Sequence, residues 1–250
     1  MSTVAASRPA VRADDLQVAG MTPLSTVDWP GRLAATVFCQ GCPWDCSYCH
    51  NPALIPPRTP GALPWRDVLA FLRRRRRLLD AVVLSGGEAT RQAALLPAVR
   101  EVRALGLAVG LHTAGPYPRR LAAVLDDVDW VGLDVKALPE DYDDVVRRPR
   151  AGHLAWECLE LLVASGVDHE VRTTVAPGSP AARDAVEIAR RVRDAGARSF
   201  ALQVVRTEGT REEFAAAHAA ADLRAWQEEV ARLDARIRAL GLPRYELRDA

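Results

Sequence analysis

Four cysteines fall within eleven residues: Cys39, Cys42, Cys46 and Cys49. The last three have the spacing C-x3-C-x2-C. Three thiolates on one tight loop can each bind one iron of a [4Fe–4S] cube. The fourth iron then has no protein ligand, whereas clusters that only carry electrons use four cysteines. An open iron is where a substrate or cofactor can coordinate. A zinc site is a second reading, with three thiolates joined by His50, since Cys3His is a known zinc set. Zinc sites usually pair their cysteines across two separated turns, which this segment does not offer. Buried free thiols are a third reading. Cys39, at the end of an apolar run, reads as a thiol without a metal role, and so does Cys158, in a helical pattern.

Cys158 completes a total of five cysteines. That number is odd and the distribution too uneven for a secreted disulfide framework. Two spare cysteines cannot supply a second four-cysteine centre, so a single cluster is expected. The chain has 250 residues, and 49% of them are hydrophobic, which excludes a disordered chain and is enough for a sizeable core. Lys and Arg number 33 against 32 Asp and Glu, a net charge of +1. The balance gives no bulk reason to bind nucleic acid or a membrane surface. Partner recognition must then use local patches. The run of arginines at residues 73–77 is either a solvated helix face or such a docking surface. No signal-peptide pattern and no long apolar span is visible, so the cytoplasm is the expected compartment.

The elements that must position the thiols alternate between strand and helix. Apolar runs at 33–38, 81–84, 108–111, 130–133, 170–175 and 200–204 read as buried strands. Helical patterns lie between and after them, at 65–79, 93–105, 118–125, 154–165, 180–195 and 222–240. Six such units predict an α/β fold, a partial (β/α)6 TIM-like barrel, with chemistry at the C-terminal strand ends. An open doubly wound sheet is the alternative architecture. Residues 244–248 could add a short terminal strand. Residues 1–20 are expected to be a flexible tail, and 21–250 a single domain.

The cysteine segment, with Tyr48 before the last thiol, resembles the signature of the radical S-adenosylmethionine (SAM) superfamily. The string Ser25-Thr26-Val27-Asp28-Trp29-Pro30-Gly31-Arg32-Leu33-Ala34-Ala35, continued by Gln40-Gly41-Cys42 and Tyr48-Cys49-His50-Asn51-Pro52, is similar to activating proteins of anaerobic ribonucleoside-triphosphate reductase. Weaker matches follow in order at Leu84-Ser85-Gly86-Gly87-Glu88, Asp134-Val135-Lys136 and Leu202-Gln203. Two strings lean away from activases of other glycyl-radical enzymes such as pyruvate formate-lyase: Asp28-Trp29-Pro30-Gly31 and Leu202-Gln203.

The resemblance implies that Cys42, Cys46 and Cys49 hold a [4Fe–4S] cluster whose open iron is chelated by SAM. Reductive cleavage of SAM then yields a 5′-deoxyadenosyl radical, which takes a hydrogen atom from a glycine Cα of a partner enzyme. A flavodoxin-type protein is the implied electron donor. Gly86, Gly87 and Glu88 would bind the SAM ammonium through backbone carbonyls and the acid; a plain strand–helix turn would explain the glycines but not the acid. The family usually has proline after that Glu, where this chain has Ala89. Relatives commonly read Asp or Glu, then Thr-Asn-Gly, where this chain has His112-Thr113-Ala114-Gly115. Only Thr113 carries over, and His112 is open between a structural and a site role. Lys136 would hold the SAM carboxylate, with a surface salt bridge as the alternative, and Arg172 the carboxylate or the ribose region. Gln203 would line the same mouth, and Tyr48 would present its backbone to the adenine.

Overall fold

The computed structural model describes residues 10–249. One eight-stranded sheet, with its strands in chain order, carries the whole architecture. β1 (Val18–Ser25) runs antiparallel to β2 (Ala34–Cys39). From β2 onward every neighbour is parallel: β3 (Ala81–Gly86), β4 (Ala108–Thr113), β5 (Trp130–Asp134), β6 (Asp168–Val175), β7 (Ser199–Val204) and β8 (Arg244–Arg248). β1 and β8 are the edges, so the sheet is an open, partial barrel. All six expected strands are present. The terminal strand at 244–248 forms as well, and β1 is an addition that the sequence reading did not contain.

Parallel strands need crossovers, and helices supply them. α1 (Trp65–Arg75), α2 (Leu95–Arg103), α3 (Pro118–Ala122) and α4 (Tyr142–Val146) come first, then α5 (Ala151–Ser165), α6 (Pro180–Asp194), α7 (Glu212–Ala219) and α8 (Leu223–Arg238). α6 shows why they form. Ser179 caps it by accepting from the Ala182 amide at 3.1 Å, and Pro180 occupies the first turn, where no donor is needed. Its buried face repeats at Ala181, Ala185, Ile188 and Val192. α8 is capped in the same way by Asp222, whose carboxylate accepts from the Arg224 and Ala225 amides.

The strands alternate. One face of the sheet points to the helices through Val37, Leu84, Val109, Leu111, Val131, Leu133, Val171 and Leu202, which join the main core. The other face lines the barrel interior. Its floor is apolar, with Trp29 stacked on Trp130 at 5.4 Å between ring centroids, above Ala34, Ala81 and Val83. Above that floor the interior becomes polar, and there the site lies.

Part of the span 1–20, expected to be a flexible tail, is structured. Residues 13–15 form a 3-10 turn that packs against α1 and α2, with Ala13, Leu16 and Val18 buried. Burial of these apolar side chains outweighs chain entropy there. Residues 1–9 of that tail lie outside the described residues. Among the described residues no helix is long and apolar enough to cross a membrane.

Candidate active site

A cavity of about 830 Å³ opens at the C-terminal ends of the parallel strands. Cys42, Cys46 and Cys49 line it, and so do Tyr48, Gly86, Gly87, Glu88, Thr113, Lys136, Arg172 and Gln203. Every residue expected at the site from the sequence therefore reaches one cavity. Cys39 does not: it is fully buried in the core on the helix side of the sheet. Cys158 is likewise buried on α5, where its thiol donates to the Gly115 carbonyl oxygen at 3.3 Å.

The cysteine loop begins where β2 ends and is clasped by the end of β3. The Gly87 amide donates to the Cys39 carbonyl oxygen at 2.9 Å, and the Glu88 amide to that of Gly41 at 3.0 Å. Gly86 has φ +113°, and a Cβ there would stand 2.2 Å from the Cys39 nitrogen. The glycines are thus required by the approach of the cysteine loop itself.

Glu88 is buried and its carboxylate is crowded with donors. Oε1 accepts from the Thr90 amide at 3.1 Å, from Thr90 Oγ1 at 2.6 Å and from Thr113 Oγ1 at 2.8 Å. Oε2 accepts from the Ala114 amide at 3.0 Å. Burial raises the carboxyl above its ordinary value, and these hydrogen bonds offset only part of that. Thr113 thus acts on the site through Glu88. Thr90 does the same and was missed in the sequence, although Glu-x-Thr at a strand–helix turn is a capping pattern.

The opposite wall is ionic. Arg172 Nε donates to Asp134 Oδ1 at 2.8 Å, and Lys136 Nζ to Oδ2 at 3.2 Å. Burial alone would raise the Asp134 carboxyl, but Arg172 and then Lys136 hold it well below the usual carboxylate range. Burial works against the Lys136 charge, yet Tyr48, Asp134 and Cys46 keep its pKa above the ordinary lysine value. Its ammonium lies 5.5 Å from the centre of the Tyr48 ring, a cation–π contact. Space for the Arg172 guanidinium comes from Gly132, where a Cβ would meet Arg172 Cζ at 2.9 Å. Two cations surround one carboxylate, so this wall carries an excess positive charge.

His112 joins the wall to the floor. Its Nε2 donates to the Asp28 carbonyl oxygen at 2.7 Å, and its Nδ1 faces Ser85 Oγ at 3.3 Å. Arg172 NH1 stands 3.1 Å from Nε2. Burial first and Arg172 second push the imidazole down to about 4, so it is neutral at physiological pH. Gln203 sits across the cavity, with Thr174 Oγ1 at 3.5 Å from its amide oxygen.

Burial also raises the Cys42 thiol to about 12 and raises that of Cys46, values that bound iron would override by replacing the proton. Among the described residues no group of three His, Cys, Asp or Glu side chains is placed to hold a single metal ion. Three thiols that each take a separate iron of a cube have no such requirement. A cavity with three half-buried thiols, one carboxylate lacking a cation and one wall with surplus positive charge fits a cluster and a zwitterionic ligand together.

Residues 36–192 match the Radical SAM superfamily. The chain belongs to that superfamily, whose members use a [4Fe–4S] cluster and SAM. It is 30% identical over 187 residues to a Methanocaldococcus jannaschii protein assigned as a glycyl-radical enzyme activating enzyme, an alignment covering 71% of this chain and 75% of that one. It is 32% identical over 123 residues to the pyruvate formate-lyase-activating enzyme of Clostridium pasteurianum, covering 47% and 51%. The crystal structure of Streptococcus suis SuiB bound to S-adenosylmethionine superposes with a TM-score of 0.63 at 11% identity. That match covers 84% of this chain and 48% of SuiB, so this chain spans about half of that protein's length. The chain is thus an enzyme of the radical SAM type, related to glycyl-radical enzyme activases.

Proposed function

We propose that this enzyme activates an anaerobic (class III) ribonucleoside-triphosphate reductase by generating a glycyl radical on it. The observation that carries the reading is the string 25–35. It is the most specific part of the resemblance, and its Asp28 and Trp29 close the cavity from below through His112 and Trp130. When bound, the reduced cluster and SAM supply the chemistry: SAM is cleaved to methionine and a 5′-deoxyadenosyl radical, which abstracts a glycine hydrogen.

The residues of this chain bind and orient. Cys42, Cys46 and Cys49 would hold the cluster. The ammonium of SAM would be held by Glu88 and the backbone of Gly86 and Gly87, since Glu88 has four donors but no cation. Its carboxylate would be held by Lys136 and Arg172, whose two charges exceed the one on Asp134. Gln203 lines the remainder of the pocket, and the Tyr48 backbone would face the adenine. The electron donor is a flavodoxin-type protein, and the compartment is the cytoplasm.

A second reading has support in the Clostridium pasteurianum relative: the partner is pyruvate formate-lyase or another glycyl-radical enzyme. One experiment separates them. The chain is reconstituted anaerobically with iron and sulfide, reduced, and given SAM with either partner. We expect 5′-deoxyadenosine and a glycyl radical signal in electron paramagnetic resonance with the reductase. A signal only with the lyase would transfer the assignment to it. No SAM cleavage at all would remove the activase reading.

A further inference from the structure

The cysteine loop is gripped by side chains remote in sequence. On one side the Asp45 amide donates to the Val146 carbonyl oxygen at 3.0 Å, and Arg148 Nε to that of Pro43 at 2.8 Å. Arg147 NH1 lies 3.5 Å from Asp45 Oδ2. On the other side Arg211, just before α7, sends its two terminal nitrogens to neighbouring residues. NH1 donates to the Cys46 carbonyl oxygen at 2.9 Å, and NH2 pairs with Asp45 Oδ1.

Two features set this apart from an ordinary surface pair. The Arg211 and Asp45 side chains are only 29% and 34% exposed. And α7 has no fully buried residue, and it reaches the core through the half-buried Phe214. What holds it over the loop is Arg211 together with the Phe214 ring, 6.3 Å from that of Tyr48.

We propose that Arg211 and Asp45 form a latch that fixes the peptide between them and Cys46 and sets the charge beside that thiolate. Arg211 is then a positioning residue for the cluster-binding loop. The proposal rests on the assignment of Cys42, Cys46 and Cys49 as cluster ligands. A planar guanidinium bonded to a carboxylate and to the next carbonyl leaves the loop little rotational freedom. The Arg211 charge also offsets that of Asp45 beside Cys46, with Arg147 at the other carboxylate oxygen. Reduction adds an electron to the cluster, so a nearby cation favours it and a nearby anion opposes it.

Electrostatics therefore demand opposite responses from the two partners. In Arg211→Gln the Asp45 carboxylate loses its closest cation, and the reduction midpoint should move to more negative potential. In Asp45→Asn the Arg211 charge is uncompensated, and the midpoint should move to more positive potential. The double variant should return towards wild type. Arg211→Lys keeps the charge but not the fork, so its midpoint should stay near wild type. In all of these variants iron should be lost to a chelator severalfold faster, because the loop is freed.

The test uses the full chain, reconstituted anaerobically, with midpoints from titrations followed by electron paramagnetic resonance and iron release followed by absorbance. Should Arg211→Gln take up no cluster, Asp45→Asn and Arg211→Lys still decide the matter. An Asp45→Asn midpoint that stays unchanged, Arg211→Gln and Asp45→Asn midpoints that move in the same direction, or an Arg211→Lys chain that releases iron no faster than wild type overturns the latch. A wild-type chain that assembles no four-iron cluster overturns the ligand assignment and the latch with it.

Discussion

Two carboxylates, Glu88 buried and Asp134 half-buried, face each other across the same cavity and are held in opposite ways. Glu88 is surrounded by neutral donors and sits at the end of a glycine clasp. Asp134 is gripped by Arg172 and Lys136. The first is an anion whose charge is incompletely compensated, and its carboxyl is raised. The second is overcompensated, and its carboxyl is lowered. A ligand carrying both an ammonium and a carboxylate complements both defects at once, and a ligand carrying only one charge does not. The polarity of the cavity is therefore written in the neighbours of its acids, not in the acids themselves.

The most damaging way to break the comparison is at the backbone on which Glu88 depends. Gly86→Ala would force a Cβ to 2.2 Å from the Cys39 nitrogen at a left-handed φ. Backbone, not a flexible side chain, is in the way. We expect a loss of ~3 kcal/mol or more, among the larger single-site effects, and a thermal midpoint lower by roughly 6–12 °C. Calorimetry checks it; a midpoint within a degree or two of wild type would mean that the clasp gives way easily.

Glu88→Gln separates binding from stability. The amide keeps the shape but removes the charge that the ammonium needs. A charge-assisted hydrogen bond is worth about 1.5–3 kcal/mol, so SAM affinity should fall roughly tenfold to a hundredfold, measured by calorimetric titration. The apo fold should stay within about 1 kcal/mol of wild type at neutral pH, because a buried, unpaired charge is gone while the amide nitrogen leaves one of the four donors without an acceptor. Unchanged affinity would remove Glu88 from the ammonium site.

The sequence showed one half of this arrangement better than the other. The six parallel strands were readable because each turns apolar side chains toward the helices, giving near-continuous hydrophobic runs. The three thiols and Gly86-Gly87-Glu88 were readable because each is a local string. β1 was not, since Gly20 and Pro23 interrupt it and its pattern depends on pairing with β2. α7 and α4 were missed for different reasons: α7 has no fully buried stripe, and α4 is a five-residue helix. Lys136 and Arg172 were found at strand ends, but Asp134 as the anion between them was not. His112 became intelligible only when Asp28 and Arg172 were seen beside it. Arg211 had no signal at all, lying 165 residues from the carbonyl it holds.

The smallest expected effect is also the most direct test of the opposition. A group whose folded pKa is raised is proton-rich in the fold, so stability falls as pH rises through the shifted range. Glu88 should therefore impose a falling limb above its ordinary value of 4.5. A lowered pKa has the opposite sign. The Asp134 contribution is fully present above its ordinary value of 3.8 and is lost as pH falls through the depressed one. Asp134→Asn should cost about 1–3 kcal/mol at neutral pH by leaving two cations unpaired, and it should flatten the acid limb. Glu88→Gln should flatten the other limb and leave the acid one intact. Urea unfolding of both variants from about pH 8 down to about pH 2, with and without SAM, resolves the Glu88 slope and the upper part of the Asp134 limb. SAM should abolish the Glu88 slope, because its ammonium stabilises the carboxylate that burial destabilises. Limbs that both flatten in the same variant would show that the two acids titrate as one coupled site, and the ligand polarity argued from their difference would fail.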